Sequence, residues 1–339
     1  MSSDRPLKVA LFGSGRIGQV HARNIADHPD LDLAWIADPF IKGAQDLAAA
    51  TGAIAVETAD EVFANADLDA VIIGSPTPTH VDLISRAAAA GVAALCEKPI
   101  DLDIDRVREC RDRIRGTSSP LMLGFNRRFD PNFSSLHARV EAGEIGRLEQ
   151  LTIISRDPAP APKAYIETSG GIFRDQSIHD LDMARFFVPD IAEVSATGSN
   201  LFCDYIEEAG DFDSVVINLR GRGGELITII NSRHSAYGHD QRLEAFGSDG
   251  LLTAGNMAPT TVRKYSAAGT EESDPYLPFF LERYGQAYRN ELDSFAKAIR
   301  GGTSCSPGFD DGVMALVLAN AAEESARSGR VVTIGKEEG

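Results

Sequence analysis

Leu7-Lys8-Val9-Ala10-Leu11-Phe12-Gly13-Ser14-Gly15-Arg16-Ile17-Gly18 is the stretch whose reading decides the fold of this 339-residue chain. An apolar run of strand character ends in G-x-G-x-x-G, and a helical pattern follows over 16–27. The glycine pattern alone is weak, but between a strand and a helix it acquires a physical meaning. Gly13 permits a tight turn, Gly15 lets a pyrophosphate approach the backbone, and Gly18 lets helix and strand pack closely. The phosphates then meet the unpaired N–H groups of the helix N-terminus, with Arg16 and Ile17 in the same turn.

Working outward, Asp38 closes the next apolar run, 33–38, about twenty residues beyond Gly18, where a carboxylate can accept from an adenosine ribose. It would repel a 2′-phosphate. Pro39 and Phe40 offer no arginine to hold one, and Lys42 is the nearest cation, so NAD is favoured over NADP. The competing reading is an aspartate that merely caps a turn. Further strands are expected at 70–75, 93–98 and 121–125, with helices at 81–90 and 103–115 between them. Apolar strands alternating with helices indicate a parallel sheet covered on both faces. Residues 1–125 therefore read as a doubly wound Rossmann domain.

Ligands of such sheets sit at the C-terminal strand edge. Ser75, Thr77 and His80, in the loop Ser75-Pro76-Thr77-Pro78-Thr79-His80, are accordingly candidate cofactor contacts, as are Glu97 and Lys98. A plainer account of this loop has Thr79 capping the next helix.

After 125 the rhythm changes. A strand is expected at 149–156, a Pro- and Ala-rich loop at 157–163, and a helix over Ser177–Phe187. Strands at 214–220 and 225–232 flank the turn 221–224, and Ser248-Asp249-Gly250 signals a second hairpin between 242–247 and 251–254. Residues 126–339 thus read as an α/β domain with an open, mainly antiparallel sheet, closed by helices at 286–300 and 312–328.

Bulk properties narrow the function. A formal net charge of −17 argues against a nucleic-acid partner, which needs a basic stripe. Cys96, Cys110, Cys203 and Cys305 form no CxxC pair, so neither a metal site nor a disulfide framework is expected. The opening Met1-Ser2-Ser3-Asp4-Arg5-Pro6 lacks an apolar signal core and no run reaches membrane-spanning length, so a cytoplasmic location is expected.

Glu97-Lys98-Pro99 behind the glycine turn resembles the Gfo/Idh/MocA oxidoreductase family. Phe125-Asn126-Arg127-Arg128-Phe129-Asp130 and Gly170-Gly171-Ile172-Phe173-Arg174-Asp175-Gln176-Ser177-Ile178-His179-Asp180 extend the likeness. Phe279-Phe280-Leu281-Glu282-Arg283-Tyr284 with Ala287-Tyr288 is similar to its inositol dehydrogenase branch, and the likeness reaches Gly329-Arg330-Val331-Val332. The resemblance implies a polyol substrate, a catalytic lysine at Lys98, and an Asp/His pair at Asp175 and His179. It also implies a final helix, about 310–328, packed on the Rossmann half, and a homotetramer. Gln176 lies in a stretch that varies among inositol dehydrogenases and does not settle the substrate.

The chemistry accords with those residue types. Oxidising an alcohol removes a proton from oxygen as hydride leaves carbon, and histidine is the base best matched to neutral pH. On one helix Asp175 and His179 would stand at i and i+4, the carboxylate orienting the imidazole. Lys98 would stabilise developing alkoxide charge. A surface pair, a core histidine or a snorkelling lysine are the plainer readings, and no third ligand makes the pair a metal site. Arg127, Asp157, Tyr237 and Tyr284 are candidate contacts for the remaining hydroxyls. His21 is expected to pack, His28 and His137 to be exposed, His234 and His239 to flank the site, and Asp180 and Asp182 to be solvated or capping. Two other functions fit the same pattern: an aldose or rare-sugar dehydrogenase, and a non-catalytic dinucleotide sensor.

Overall fold

The computed structural model describes residues 5–64 and 67–335. Residues 1–4, within the stretch expected to lack a signal core, lie outside them. Two compact units are distinguishable: residues to Phe129 with Ala287–Met314, and Asp130–Gln286 with the residues from Ala315 onward.

In the first unit β1 (Leu7–Phe12), β2 (Leu31–Ala37), β3 (Ile54–Val56), β4 (Ala70–Ile73), β5 (Ala93–Cys96) and β6 (Leu121–Leu123) form one sheet in the order β3-β2-β1-β4-β5-β6. Every pairing in it is parallel. This is the dinucleotide-binding order, whose reversal point falls between β1 and β4. Every residue of β4 and β5 is buried, as the continuous apolar runs require. β4 and β5 end earlier than expected, so Gly74-Ser75 and Glu97-Lys98 stand just past their strands at the ligand edge. β3 escaped the sequence reading because it is three residues long and partly exposed.

The helix Arg16–Ala26 buries Gly18, His21, Ala22 and Ile25, a stripe at helical spacing. The helix Gly285–Gly301 adds Leu292, Phe295 and Ala296 to the same core. The sequence reading gave the stretch 287–314 to the second domain and packed the final helix on the first. Here the helix before it supplies these core residues, and the start of Phe309–Ser328 also lies in the first unit, where a Cβ on Gly312 would come within 2.7 Å of Ile100. An amphipathic stripe states that a helix face is buried, not against which sheet.

The second unit holds a seven-stranded sheet, β12-β11-β7-β10-β9-β8-β15, from β7 (Leu148–Arg156), β8 (Ile191–Ser199), β9 (Ser214–Gly221), β10 (Leu226–Ser232), β11 (Asp240–Gly247), β12 (Gly250–Ala254) and β15 (Val332–Thr333). All its pairs are antiparallel except β7 with β10. β9 and β11 alternate buried and exposed residues, so one face is covered and the other open. Ser177–Phe187 packs on the covered face through Ile178, Leu181, Ala184 and Phe187. β13 (Arg263–Ser266) and β14 (Gly269–Ser273) form a separate exposed hairpin.

Candidate active site

The turn after β1 explains its glycines. Gly13 holds a φ of +97°, and a Cβ there would lie 2.7 Å from the Gly74 carbonyl oxygen. A Cβ on Gly18 would come within 2.1 Å of the Gly13 carbonyl oxygen. Gly15 differs: no heavy atom lies within 4 Å of its Cβ position, and the helix it opens has no side-chain cap. Open space before a helix start that no side chain caps is what a pyrophosphate needs. Ile17 lies against Gly74, while Arg16 is exposed at the first helical position.

Asp38 follows β2 and fastens this turn. Its Oδ2 accepts from the Ser14 backbone N–H at 2.8 Å and the Ser14 hydroxyl at 2.6 Å, and its Oδ1 accepts from the Phe40 N–H at 2.8 Å. Burial pushes the Asp38 carboxyl up, but these three bonds together hold it below the usual range. The carboxylate keeps lone pairs for a ribose hydroxyl. Glycine turn, uncapped helix and carboxylate together fit NAD.

The loop after β4 is tied internally. The Ser75 and Thr79 hydroxyls are 2.6 Å apart, and Thr79 Oγ1 donates to the Pro76 carbonyl, so it does not cap the helix His80–Ala89. Thr77 begins a short 3-10 turn. His80 is buried, with Nδ1 2.8 Å from the Pro99 carbonyl oxygen and Nε2 2.8 Å from that of Ser75. Burial lowers its pKa despite both carbonyls. His80 therefore lies between the Ser75 loop and the Lys98 loop, and its neutral ring donates to one of the two carbonyls at a time.

Glu97 turns inward, its Oε1 2.8 Å from His21 Nε2. Lys98 is half-buried, the peptide to Pro99 is cis, and Arg127 is buried in the turn Asn126–Phe129. Sequence reading missed Glu291, fully buried with neither carboxyl oxygen hydrogen-bonded. Burial and the charge of Glu97 push its carboxyl well above the usual range.

In the second unit, Gly170 and Gly171 adopt positive φ and lead into the short helix Gly171–Asp175. Gln176 interrupts the helical run, so His179, half-buried, lies in the next helix rather than in a continuous one with Asp175. Gln176 is held by its Nε2 on the carbonyls of Ser155 and Ser232. Asp175 is doubly fastened: Oδ1 accepts from the Tyr165 hydroxyl at 2.8 Å and Oδ2 from Arg233 Nη1 at 3.2 Å.

Asp157 lies 3.5 Å from His239 Nδ1 and within electrostatic range of Arg233 and Tyr165. Tyr237 is 44% exposed and donates to Asp240 at 2.7 Å. Tyr284, expected at the substrate, is 2% exposed, and its hydroxyl donates to Gln241 Oε1. An aromatic within an amphipathic stretch is drawn into the core.

Other expectations need correction. Asp180 and Asp182 are buried, not solvated, and Asp180 accepts from Asn231 Nδ2 at 2.8 Å. His28 is half-buried against Asp293, and His137 stacks on Phe186 at 3.6 Å between ring centroids. His239 is buried, whereas His234 is exposed beside Phe202. Arg233, Tyr165 and Asp211 were missed. The one available signal was Asn231-Ser232-Arg233 at a strand end, where alternation sends both Asn231 and Arg233 inward. Among the described residues, no group of three or more His, Cys, Asp or Glu is placed to hold a metal ion, and no helix is long and apolar enough to cross a membrane.

Known proteins place the chain. Residues 7–125 match the family of oxidoreductases with an NAD-binding Rossmann fold, and residues 133–253 match the GFO/IDH/MocA C-terminal domain. The crystal structure of a myo-inositol dehydrogenase from Corynebacterium glutamicum ATCC 13032 is 64% identical in sequence, with a TM-score of 0.96 over 97% of this chain and 99% of that one. An inositol 2-dehydrogenase of Rhizobium meliloti (strain 1021) is 45% identical over 97% of this chain and 99% of its own length. A scyllo-inositol dehydrogenase from Lactobacillus casei, solved with NAD(H) and scyllo-inositol, is 27% identical with a TM-score of 0.90, covering 97% of this chain and 99% of that one. Both domains are thus matched by known proteins, and the chain belongs to the GFO/IDH/MocA family of NAD-binding oxidoreductases.

Proposed function

We propose that this protein is an NAD-dependent dehydrogenase that oxidises a ring hydroxyl of an inositol, myo or scyllo, to the ketone. The observation that carries the reading is the double fastening of Asp175, four positions before the half-buried His179, in a chain whose relatives bear inositol dehydrogenase names.

NAD, held by Gly13, Gly15, Gly18 and Asp38, supplies the hydride acceptor. His179 takes the hydroxyl proton, Asp175 orients the imidazole and balances its positive charge, and Lys98 donates to the oxygen as alkoxide charge develops. Arg127, Asp157 and Tyr237 are the groups assigned to the remaining hydroxyls. Tyr284 is not among them, because its hydroxyl is engaged by Gln241 in the core.

Steady-state kinetics with NAD over inositol isomers and aldoses test the substrate. The highest kcat/KM is expected with an inositol; a clear preference for a pyranose would assign the protein to sugars instead. Absence of turnover with every polyol, alongside tight NAD binding, would make it a sensor.

The same reading includes a homotetramer in the cytoplasm. On the open sheet face Val216, Ile230, Ile154 and Arg242 stand in one cross-strand row, and Leu226, Gln150, Phe246 and Leu251 in another. Val216, Leu226, Phe246 and Leu251 are each at least 42% exposed, an apolar surface suited to a second sheet. All four cysteines are free, which suits a reducing compartment. Sedimentation should give a tetramer that Phe246→Glu dissociates; a monomeric wild type would refute the assembly.

A further inference from the structure

The substitution-sensitive part of an Asp/His pair is usually sought in the pair itself. Here the surroundings of Asp175 are built with more care than orientation of one side chain demands. Arg233 follows β10 and its side chain is 2% exposed. Its Nη1 donates to Asp175 Oδ2 at 3.2 Å, and its Nη2 donates to Asp211 Oδ2 at 3.1 Å. Asp211 Oδ1 in turn accepts from the Ile172 N–H at 2.9 Å. The guanidinium and Asp211 together span the short helix Gly171–Asp175, from a backbone donor near its start to the carboxylate at its end. The Arg233 backbone is itself fixed, its N–H on the Asp213 carbonyl at 2.9 Å.

We propose that Arg233 is a positioning residue of the dehydrogenase site, which with Tyr165 holds the Asp175 carboxylate in one orientation and partly compensates its charge, so that His179 remains a neutral base. This rests on the function proposed above. A carboxylate offers about four lone-pair sites, so accepting from Arg233 and Tyr165 is compatible with accepting from an imidazole N–H as well. Burying a guanidinium is unfavourable unless it is well paired. The two carboxylates outweigh that burial and hold Arg233 charged. Burial, with Asp175 beside it, pushes the Tyr165 hydroxyl up, so it stays a donor.

The consequence has a sign. A carboxylate facing a cation attracts an imidazolium less than a bare carboxylate does. Removing the cation stabilises protonated His179, and the base then becomes neutral only at higher pH. Other ionisable groups around this cluster are Asp157 after β7 with His239 3.5 Å from it, Tyr205 in the helix Asp204–Glu208 with Cys203 beside it, and Asp180 next to His179 in the chain. None of the substitutions below alters them.

The test is the pH dependence of kcat/KM for inositol in Arg233→Met, Arg233→Lys and Tyr165→Phe, with folding followed by circular dichroism. Arg233→Met should move the acid limb up by about one pH unit and lower kcat by about tenfold or more, with little change in the KM for NAD. Arg233→Lys, which keeps the charge, should leave the limb in place while lowering kcat. Tyr165→Phe, at a residue 50% exposed, should fold normally and move the limb the same way by a smaller amount. Should Arg233→Met not fold, Tyr165→Phe alone decides. Folded variants with wild-type pH profiles would overturn the proposal. Asp175→Asn and His179→Ala in the same assay separate the two levels. If both stay active, the base assignment fails and this inference with it; if both are inactive while the Arg233 and Tyr165 profiles are unmoved, only this inference fails.

Discussion

Ser14 donates both its backbone N–H and its hydroxyl to a single oxygen of Asp38, at 2.8 and 2.6 Å. The carboxylate assigned to the ribose is thereby also the clasp of the glycine turn, and the two roles can be separated by substitution.

Asp38→Ala removes the clasp and the ribose acceptor together. The KM for NAD should rise about tenfold, the equivalent of about 1.4 kcal/mol of hydrogen bonding to a charged group, while the KM for inositol holds. Adding Phe40→Arg, at a side chain 85% exposed, should shift the preference toward NADP. An unaltered NADP/NAD ratio in the double variant would mean that position 38 does not meet the ribose.

Two glycines of one motif should respond differently. Gly18→Ala drives a methyl group to 2.1 Å from a carbonyl oxygen and should destabilise the fold by about 1–3 kcal/mol. Gly15→Ala meets nothing within 4 Å, so stability should stay within about 0.5 kcal/mol. Its NAD affinity should nevertheless drop, because the methyl occupies the pyrophosphate's approach. Calorimetric titration with NAD decides; wild-type affinity in Gly15→Ala would put the phosphates elsewhere.

Asp240 is fully buried and accepts from Arg156, Arg242, Tyr237 and Asn256. Burial opposes its charge, but these donors bring its pKa down to about 2. A carboxyl depressed on folding adds stability that is complete above its unfolded value of about 4 and is lost as pH falls toward about 2. The contribution is about 2 kcal/mol. Urea unfolding across that range should show this loss in the wild type, and a flatter dependence in an Asp240→Asn variant already weakened at pH 7. Parallel curves would contradict the assignment.

How much of this was legible depended on whether a residue's reason is local. Gly13 and Gly18 were readable because a tight turn and a close helix–strand contact admit only glycine. The second sheet was readable from its hairpins, yet the parallel β7–β10 pair was not, since no turn residue marks it. Asp180 and Asp182 look like a solvated helix face until Asn231 is found opposite Asp180, 51 positions away in the chain. Arg233 was invisible for the same reason: its carboxylate partners lie 22 and 58 positions distant. Buried polar networks close through the fold, and sequence spacing does not carry that information.

In the proposed reaction the imidazole of His179 and the ammonium of Lys98 act on the same hydroxyl. The most direct measurement is the deuterium isotope effect on kcat with perdeuterated inositol, in wild type, His179→Ala and Lys98→Met at saturating NAD. Each substitution should lower kcat by about 10²-fold or more and enlarge the isotope effect as hydride transfer becomes fully rate-limiting, with NAD affinity unchanged. Near-normal turnover with an unchanged isotope effect in either variant would mean that the substituted group does not act on the reacting hydroxyl.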